Sequence, residues 1–184
     1  AFSFLTPGCT VSFGGSMNLE DTGMLTALRH DPGITLLDRA QAKTPEETKK
    51  IYHDALSSDF YFMSTNAITK DGELVNIDGT GNRVASLIYG PEHVIVMAGM
   101  NKVAANVDEA LSRVHGTATP MNCKRLGKNT PCSATGVCSD CLFPRLHLQP
   151  GRYHKTKRHR GTHQSHSDRR GTWILTVSYT HLRA

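Results

Sequence analysis

Two short polar loops have the residue types that bind anions. Gly14-Gly15-Ser16 follows the apolar run TVSF, and NIDGTGNR spans residues 76–83; each precedes a stretch with helical spacing of apolar residues. Backbone N–H groups and the dipole at a helix N-terminus favour negative charge, and Arg83 adds a guanidinium. The second loop lacks the third glycine of GxGxxG and the Lys-Ser/Thr of a P-loop, so neither nucleotide motif is met. The alternative is a plain tight turn in the first loop, and in the second a helix cap by Asp78 with a surface Arg83 pair.

Arg83 is expected to bind the ligand while contributing less than about 1 kcal/mol to stability, the usual scale for an exposed ion pair. Gly79 and Gly81 are expected to adopt backbone conformations that other residues adopt poorly. Alanine at either position is therefore expected to disturb the loop more than its small volume suggests. No catalytic Ser/His/Asp or Cys/His triad can be read from the linear order of the residues.

A cysteine cluster is the second candidate for chemistry. Cys132, Cys138 and Cys141 stand at C-x5-C-x2-C spacing and supply three soft ligands, whereas tetrahedral zinc or an iron–sulfur cluster usually takes four. Cys123 completes the set in one interpretation and is an ordinary buried cysteine in the other. The cofactor, either an iron–sulfur cluster or zinc, stays open at this point. The six histidines from His147 onward match no zinc module by their spacing.

Charge and composition narrow the class of partner. Residues 1–141 hold 12 Lys and Arg against 15 Asp and Glu, and residues 142–184 hold 9 against 1, so the net charge of +5 comes from the tail. The globular part thus gives no electrostatic reason to expect nucleic acid or a membrane surface as partner. Five cysteines, an odd number, without a signal peptide favour the reducing cytoplasm. No apolar run approaches the roughly 18 residues of a membrane span. The start at Ala1, inside the apolar segment AFSFL, indicates a truncated N-terminus.

The elements that position these loops alternate between strands and helices. Apolar runs at residues 34–38, 60–64 and 93–99 predict buried strands, and Thr44-Pro45-Glu46-Glu47 predicts a capped helix start. Asp71-Gly72 between two β-compatible runs predicts a hairpin, and helical spacing begins at Asn82. A single α/β domain is expected, with a mainly parallel sheet that has helices on both faces. Crevices at the carboxyl ends of such strands are the usual ligand sites.

Four stretches together resemble the lactate-utilization (LUD) domain family over about residues 5–141: GGSMNLEDTG, KTPEETKKIYHDAL, STNAITKDGELVNIDGTGNRVASLIYGPEHVIVMAGMNKV and PMNCKRLGKNTPCSATGVCSDC. The resemblance implies a fold of the sugar-phosphate isomerase and CoA-transferase type. It also implies a link to bacterial oxidation of lactate to pyruvate with iron–sulfur partner subunits. The residues predicted to contact a small anionic ligand in a pocket lined by both loops are Gly14, Gly15, Ser16, Asn66, Asp78, Gly79, Gly81, Asn82 and Arg83.

Two other functions compete with the lactate hypothesis. The first is an isomerase or CoA-transferase acting on a phosphorylated or CoA-linked small molecule, which the implied fold permits without establishing it. The second is a scaffold or regulatory subunit without chemistry of its own. Whether the protein is an enzyme is left open by the sequence.

The tail departs from the family at Leu142. With permitted codons, dropping one nucleotide after the codon of Cys141 turns the following residues into Ser-Ser-Pro-Asp-Cys-Ile-Cys, similar to the family's continuation. TVSYTHLRA at the end resembles a translated sequencing adapter. Residues 142–184 are therefore interpreted as a non-native, frameshifted tail. They are expected to be disordered and to form no strand or helix packed on the domain.

Overall fold

The computed structural model describes residues 4–139, residue 141 and three later strands at 153–156, 165–167 and 172–178, the last three by their backbone pairing alone. The strands are β1 (Thr10–Phe13), β2 (Thr35–Leu37), β3 (Phe60–Met63), β4 (Ala67–Thr69), β5 (Leu74–Ile77), β6 (His93–Gly99), β7 (Val103–Ala104), β8 (Tyr153–Thr156), β9 (Ser165–Ser167) and β10 (Thr172–Ser178). The α-helices are α1 (Met17–Asp21), α2 (Met24–Arg29), α3 (Pro45–Asp54), α4 (Asn82–Tyr89), α5 (Val107–Arg113), α6 (Thr119–Arg125) and α7 (Pro131–Thr135).

The chain forms two compact units rather than the single domain expected. Unit 1 comprises residues 1–64, 85–99 and 159–184, and unit 2 comprises residues 65–84 and 100–158. The sequence correctly predicts the α/β class but not this division, because the hairpin and the later helices carry no composition change that marks a boundary. Among the described residues, every helix is too short or too polar to span a bilayer.

Unit 1 contains the predicted parallel sheet. β2, β1, β3 and β6 lie side by side in that order and all pair in parallel. β3 is buried along its whole length and β6 at all but its two end residues, which agrees with runs that are apolar on both faces. Helices flank the sheet, and Leu19, Leu25 and Leu28 of α1 and α2 pack in one cluster with Phe62 and Ile95. The crossover helices fix the strand order and direct the carboxyl ends of the strands to one edge.

Helix boundaries differ from the prediction after β1. The sequence predicts one helix capped by Asn18, whereas the chain forms α1 and α2, with Gly23 between them at a φ of 73°. Asn18 lies inside α1, and Ser16 occupies the N-cap position without a capping hydrogen bond from its side chain. The predicted start of α3 is confirmed, since Thr44 Oγ1 accepts a bond from the backbone N–H of Glu47 (3.1 Å).

Unit 2 is built on a second, four-stranded sheet in the order β7-β4-β5-β8. β4 and β5 form the predicted antiparallel hairpin, and β7 pairs in parallel with β4. Ala67, Val75 and Ala104 of these strands are fully or almost fully buried against Ala110 and Val114 on and just after α5. The small side chains let the helix approach the sheet closely, and they hold α5 beside the end of β5.

Three described strands lie beyond Cys141, where no strand was expected. β8 pairs antiparallel with β5, and β10 pairs antiparallel with β6 and β9. The expectation is therefore wrong for these segments. β10 has the sequence TWILTVS, rich in the aromatic and β-branched residues that favour strands, and it pairs with the edge strand of the parallel sheet. The frameshift interpretation stays a prediction, and the rest of the tail lies outside the described residues.

Gly72→Ala is predicted to lower the free energy of unfolding by about 1–2 kcal/mol, the usual cost of a left-handed conformation for a residue with a Cβ. Gly72 has a φ of 82° in the turn between β4 and β5, and an added Cβ would meet nothing within 4 Å, so strain is the only cost. Urea denaturation measures the effect. Gly116→Ala is the matched control, because Gly116 is exposed, has open space and needs no positive φ. It should be neutral or slightly stabilising; equal losses in both variants would contradict the turn.

Candidate anion-binding site

A partly buried ion pair lies at the end of β5, within unit 2. Arg83 donates from Nε and from Nη2 to Oδ1 of Asp78, at 2.8 and 2.5 Å, and also from Nη2 to the backbone oxygen of Ile77 (3.3 Å). The two side chains are only 16% and 10% exposed. Oδ2 of Asp78 accepts from the backbone N–H of Val84 (2.9 Å), so the same carboxylate caps the first turn of α4. Asp78 therefore fixes both the arginine and the start of the helix.

Asn66 connects this pair to a second arginine. Its Oδ1 accepts from Nη2 of Arg83 (2.8 Å) and from the backbone N–H of Ile77 (3.0 Å). Its backbone oxygen accepts from Nη1 of Arg113 on α5 (2.5 Å). Arg113 also donates from Nε to the backbone oxygen of Asn101 (2.8 Å). Both guanidinium groups are thus held in position by the same residue.

A half-buried lysine completes a group of three cations. Lys102 ends the short 3₁₀ turn Met100–Lys102 that follows β6. Burial lowers the pKa of Lys102 to about 8, and repulsion from Arg113 and Arg83 lowers it further. Burial likewise lowers the pKa of Arg113 from its usual value. We call Lys102, Arg83 and Arg113 the basic cluster; the carboxylate bonded to it is that of Asp78, so positive charge is in excess.

A buried amide beside Asn66 lacks an acceptor. Asn76 on β5 is fully buried, and its Oδ1 accepts from Oγ1 of Thr65 (3.1 Å) and from the backbone N–H of Asn66 (3.2 Å). Its Nδ2 has no hydrogen-bond partner among the described residues. An unpaired buried donor costs about 1–3 kcal/mol, and most such groups in proteins are paired. The side chain therefore favours an acceptor oxygen near the basic cluster.

The glycine loop of unit 1 differs from the expected cradle of free amides. The N–H of Gly14 donates to the backbone oxygen of Phe62 (2.8 Å), which continues the pairing of β1 with β3. At Gly15, an added Cβ would lie 2.2 Å from Nη2 of Arg39, so the guanidinium rests directly on the glycine backbone. Ser16 begins α1, a helix of only five residues. What this loop offers a ligand is chiefly the charge of Arg39.

Arg39 is a functional candidate that the sequence reasoning missed. It follows β2, and its guanidinium lies about 6 Å from the ring centres of Phe13 and Tyr52, each 5.9 Å away. Such contacts hold a cation in place without neutralising it. The two loops belong to different compact units, each described by itself. That they line a single pocket stays a prediction.

The second glycine loop bears out half of the backbone expectation. Gly81 has a φ of 82°, a conformation that favours glycine, whereas Gly79 is not among the glycines with positive φ. The expectation for Gly79 is therefore wrong, and the turn into α4 places its strain on one residue. Between them, Oγ1 of Thr80 donates to Oδ1 of Asn82 at 2.6 Å, which closes the loop on itself.

The cysteines supply no metal site in the described part of the chain. All five are free; Cys132 is buried, with Sγ 3.1 Å from Oγ1 of Thr130, and Cys138 and Cys141 are half-buried. Burial raises the pKa of the Cys123 thiol. Over the described residues, no group of three or more His, Cys, Asp and Glu is arranged to hold a metal ion. The predicted ligand set stays a prediction, and no chemistry is assigned to it.

Three members of the site have weak signals in the sequence. Lys102 stands just after the apolar strand at 93–99, and its position at the carboxyl end of a buried strand was a usable signal. Asn76 is a polar residue inside an apolar strand, which also marks a site. Arg113 on α5 has no local signal, because only the packing of α5 on the second sheet brings it to Asn66.

Comparison with known proteins gives one family. The family model described as LUD domain matches residues 2–158 of the chain, which covers both candidate loops, the basic cluster and the cysteines. No curated protein and no solved structure matches the chain. The match supports the resemblance drawn from the quoted motifs and extends it past residue 141.

Arg83→Ala is predicted to lower the free energy of unfolding by about 3 kcal/mol, because it leaves the carboxylate of Asp78 buried without its partner. This replaces the sequence-based expectation of less than about 1 kcal/mol, which assumed an exposed pair. Urea denaturation of Arg83→Met, Asp78→Asn and the double variant should show that the double loss is smaller than the sum of the single losses. Lys50→Ala is the control, since the Lys50–Asp54 pair is exposed. A similar small loss in Arg83→Ala and in the control would contradict the analysis.

Lys102→Met is predicted to raise the free energy of unfolding at pH 7 by about 1–3 kcal/mol, since it removes a charge that burial and two arginines disfavour. The folded pKa of about 8 lies below the usual lysine value. The penalty is therefore fully present below pH 8 and is relieved as pH rises toward about 10.4. The advantage of the variant should shrink over that range in denaturation curves measured at several pH values. Lys70→Met, at an exposed site of the same unit, is the control. Identical pH dependence in both would refute the prediction.

Proposed function

The chain belongs to the LUD domain family, and we propose that it serves the oxidation of lactate to pyruvate in the cytoplasm by binding a small carboxylate anion beside iron–sulfur partner subunits. The observation that carries the proposal is the basic cluster, in which three cations surround one carboxylate. Family membership supplies the link to lactate, and the cluster supplies the reason why a carboxylate would bind.

The charge balance of the cluster supports an anionic ligand. Like charges at close range in a partly buried site repel each other more strongly than they would in water. Asp78 offsets one of them and is already bonded to Arg83 and to the backbone of α4. A bound anion lowers the repulsion between Lys102 and Arg113, and its oxygens are acceptors for their donors and for the amide of Asn76.

The members of the cluster have different tasks in this proposal. Arg83 is held by Asp78 and Asn66, so it chiefly fixes the loop and adds to the positive potential. Arg113 uses Nε and Nη1 for backbone oxygens, and its Nη2 has no hydrogen-bond partner among the described residues. Arg113 and Lys102 are therefore the groups that would contact the anion. Arginine suits a planar carboxylate because its N–H groups match the two oxygens.

The redox step needs a partner. Oxidation of lactate to pyruvate removes two electrons and two protons from the substrate. In this proposal the iron–sulfur subunits accept the electrons, while this chain holds the carboxylate and contributes no redox step of its own. No nucleic acid and no membrane enters the proposal.

Titration calorimetry tests the ligand class. We expect lactate and pyruvate to bind, and we expect Lys102→Met to weaken them about tenfold, which corresponds to the loss of one charged contact of about 1.4 kcal/mol. Affinity should fall as pH rises through about 8, where Lys102 loses its proton. Lys70→Met is the control and should bind as the unaltered protein does.

Other outcomes would redirect the assignment. Ribose 5-phosphate or CoA binding in place of lactate and pyruvate would contradict the lactate proposal and favour isomerase or CoA-transferase chemistry. Binding of none of the four at millimolar concentration would refute the anion site. Co-purification with iron–sulfur subunits that persists without any small-molecule binding would indicate a scaffold role.

A further inference from the structure

Lys102 is held against a fixed arginine by the backbone itself. Nε of Arg113 bonds the oxygen of Asn101, which belongs to the peptide group leading into Lys102. Nη1 of the same guanidinium bonds the backbone oxygen of Asn66. The arginine and the lysine are thus neighbours across one peptide, and an anion held by the free edge of Arg113 would lie within the surroundings of the lysine amine.

The lysine also has the environment of a nucleophile. With a pKa of about 8, roughly one Lys102 side chain in ten is neutral at pH 7, against about one in a few thousand for an ordinary lysine. The neighbouring charges are those of Arg113 on α5 and of Arg83 on α4, the latter bonded to Asp78. Lysines beside another cation and partly removed from water are the ones that form Schiff bases with carbonyl compounds.

We propose that Lys102 forms a reversible imine with a 2-oxo acid whose carboxylate is bound by Arg113. The inference rests on the proposed function, because it takes the same anion site and gives it a covalent step. The neutral amine attacks the carbonyl carbon, a C–N bond forms, and the carbonyl oxygen takes up protons and leaves as water. The product is a protonated C=N group, and no oxidant or reductant is required.

A 2-oxo acid is the class that fits both groups. Its carbonyl carbon is bonded directly to the carboxylate, so a group that binds the carboxylate brings the carbon to the neighbouring amine. The imine keeps the positive charge of Lys102, and the carboxylate offsets the repulsion from the arginines. A hydroxy acid such as lactate satisfies the anion site but offers no carbonyl carbon, so it should occupy the site without reacting.

Reductive trapping tests the imine. The whole protein is incubated with pyruvate and sodium cyanoborohydride, digested, and searched by mass spectrometry for carboxyethyl-lysine. We expect Lys102 to be labelled at least about tenfold faster than Lys70, an exposed lysine of the same unit, because far more of Lys102 is neutral. Lactate should slow the labelling of Lys102 and leave Lys70 unchanged.

The results separate the imine from simple anion binding. Pyruvate binding by calorimetry with Lys102 labelled no faster than Lys70 would overturn the imine and leave the proposed function standing. Absence of both binding and labelling would refute the two together. Equal labelling by a neutral aldehyde, without protection by lactate, would show a reactive amine without carboxylate recognition and would also overturn the proposal. Lys102→Arg keeps the charge and loses the amine, so it should bind lactate more tightly than Lys102→Met while losing the label.

Discussion

The ion pair between Arg83 and Asp78 is the interaction on which the rest of the site depends. Neither side chain is well exposed, so each needs the other to be tolerated in the folded chain. Asp78 also accepts the N–H of Val84, and Arg83 also reaches Asn66. One pair therefore joins the end of β5, the start of α4 and the loop before β4. Without it, the loop that carries the glycines has no fixed path into the helix.

This constraint changes the role of Arg83. A guanidinium bonded to a carboxylate, an amide oxygen and a backbone oxygen has few N–H groups left for a ligand. Its charge still acts at longer range, since it is one of the causes of the lowered pKa of Lys102. The direct contacts then fall to Arg113 and Lys102, which come from α5 and from the turn after β6. The ligand-binding groups are thus supplied by elements around the glycine loop, and the loop holds them apart at a fixed spacing.

How far the sequence predicts the molecule follows from the range of each interaction. The buried strands, the hairpin at Gly72 and the helix start at Thr44 are decided within a few residues, and all three are found. The division into two units, the strands after residue 141 and the approach of Arg113 to Asn66 depend on pairing between distant segments. Spacing along the chain carries no record of such contacts. For the same reason the sequence identifies the NIDGTGNR loop but underestimates how deeply its ion pair is buried.

Three cations gathered around one carboxylate are an electrostatic cost to folding, and that cost bears on function. The surrounding bonds fix Arg83 and Arg113 to backbone and side-chain oxygens, so the two arginines cannot move apart to relieve the repulsion. Lys102 bears the consequence, because it is the member of the group whose proton can leave near neutral pH. Strongly shifted groups held in this way are concentrated at functional sites, where the strain is relieved when ligand binds. A ligand that brings a negative charge, or that reacts with the neutral amine, removes the repulsion that folding alone leaves in place.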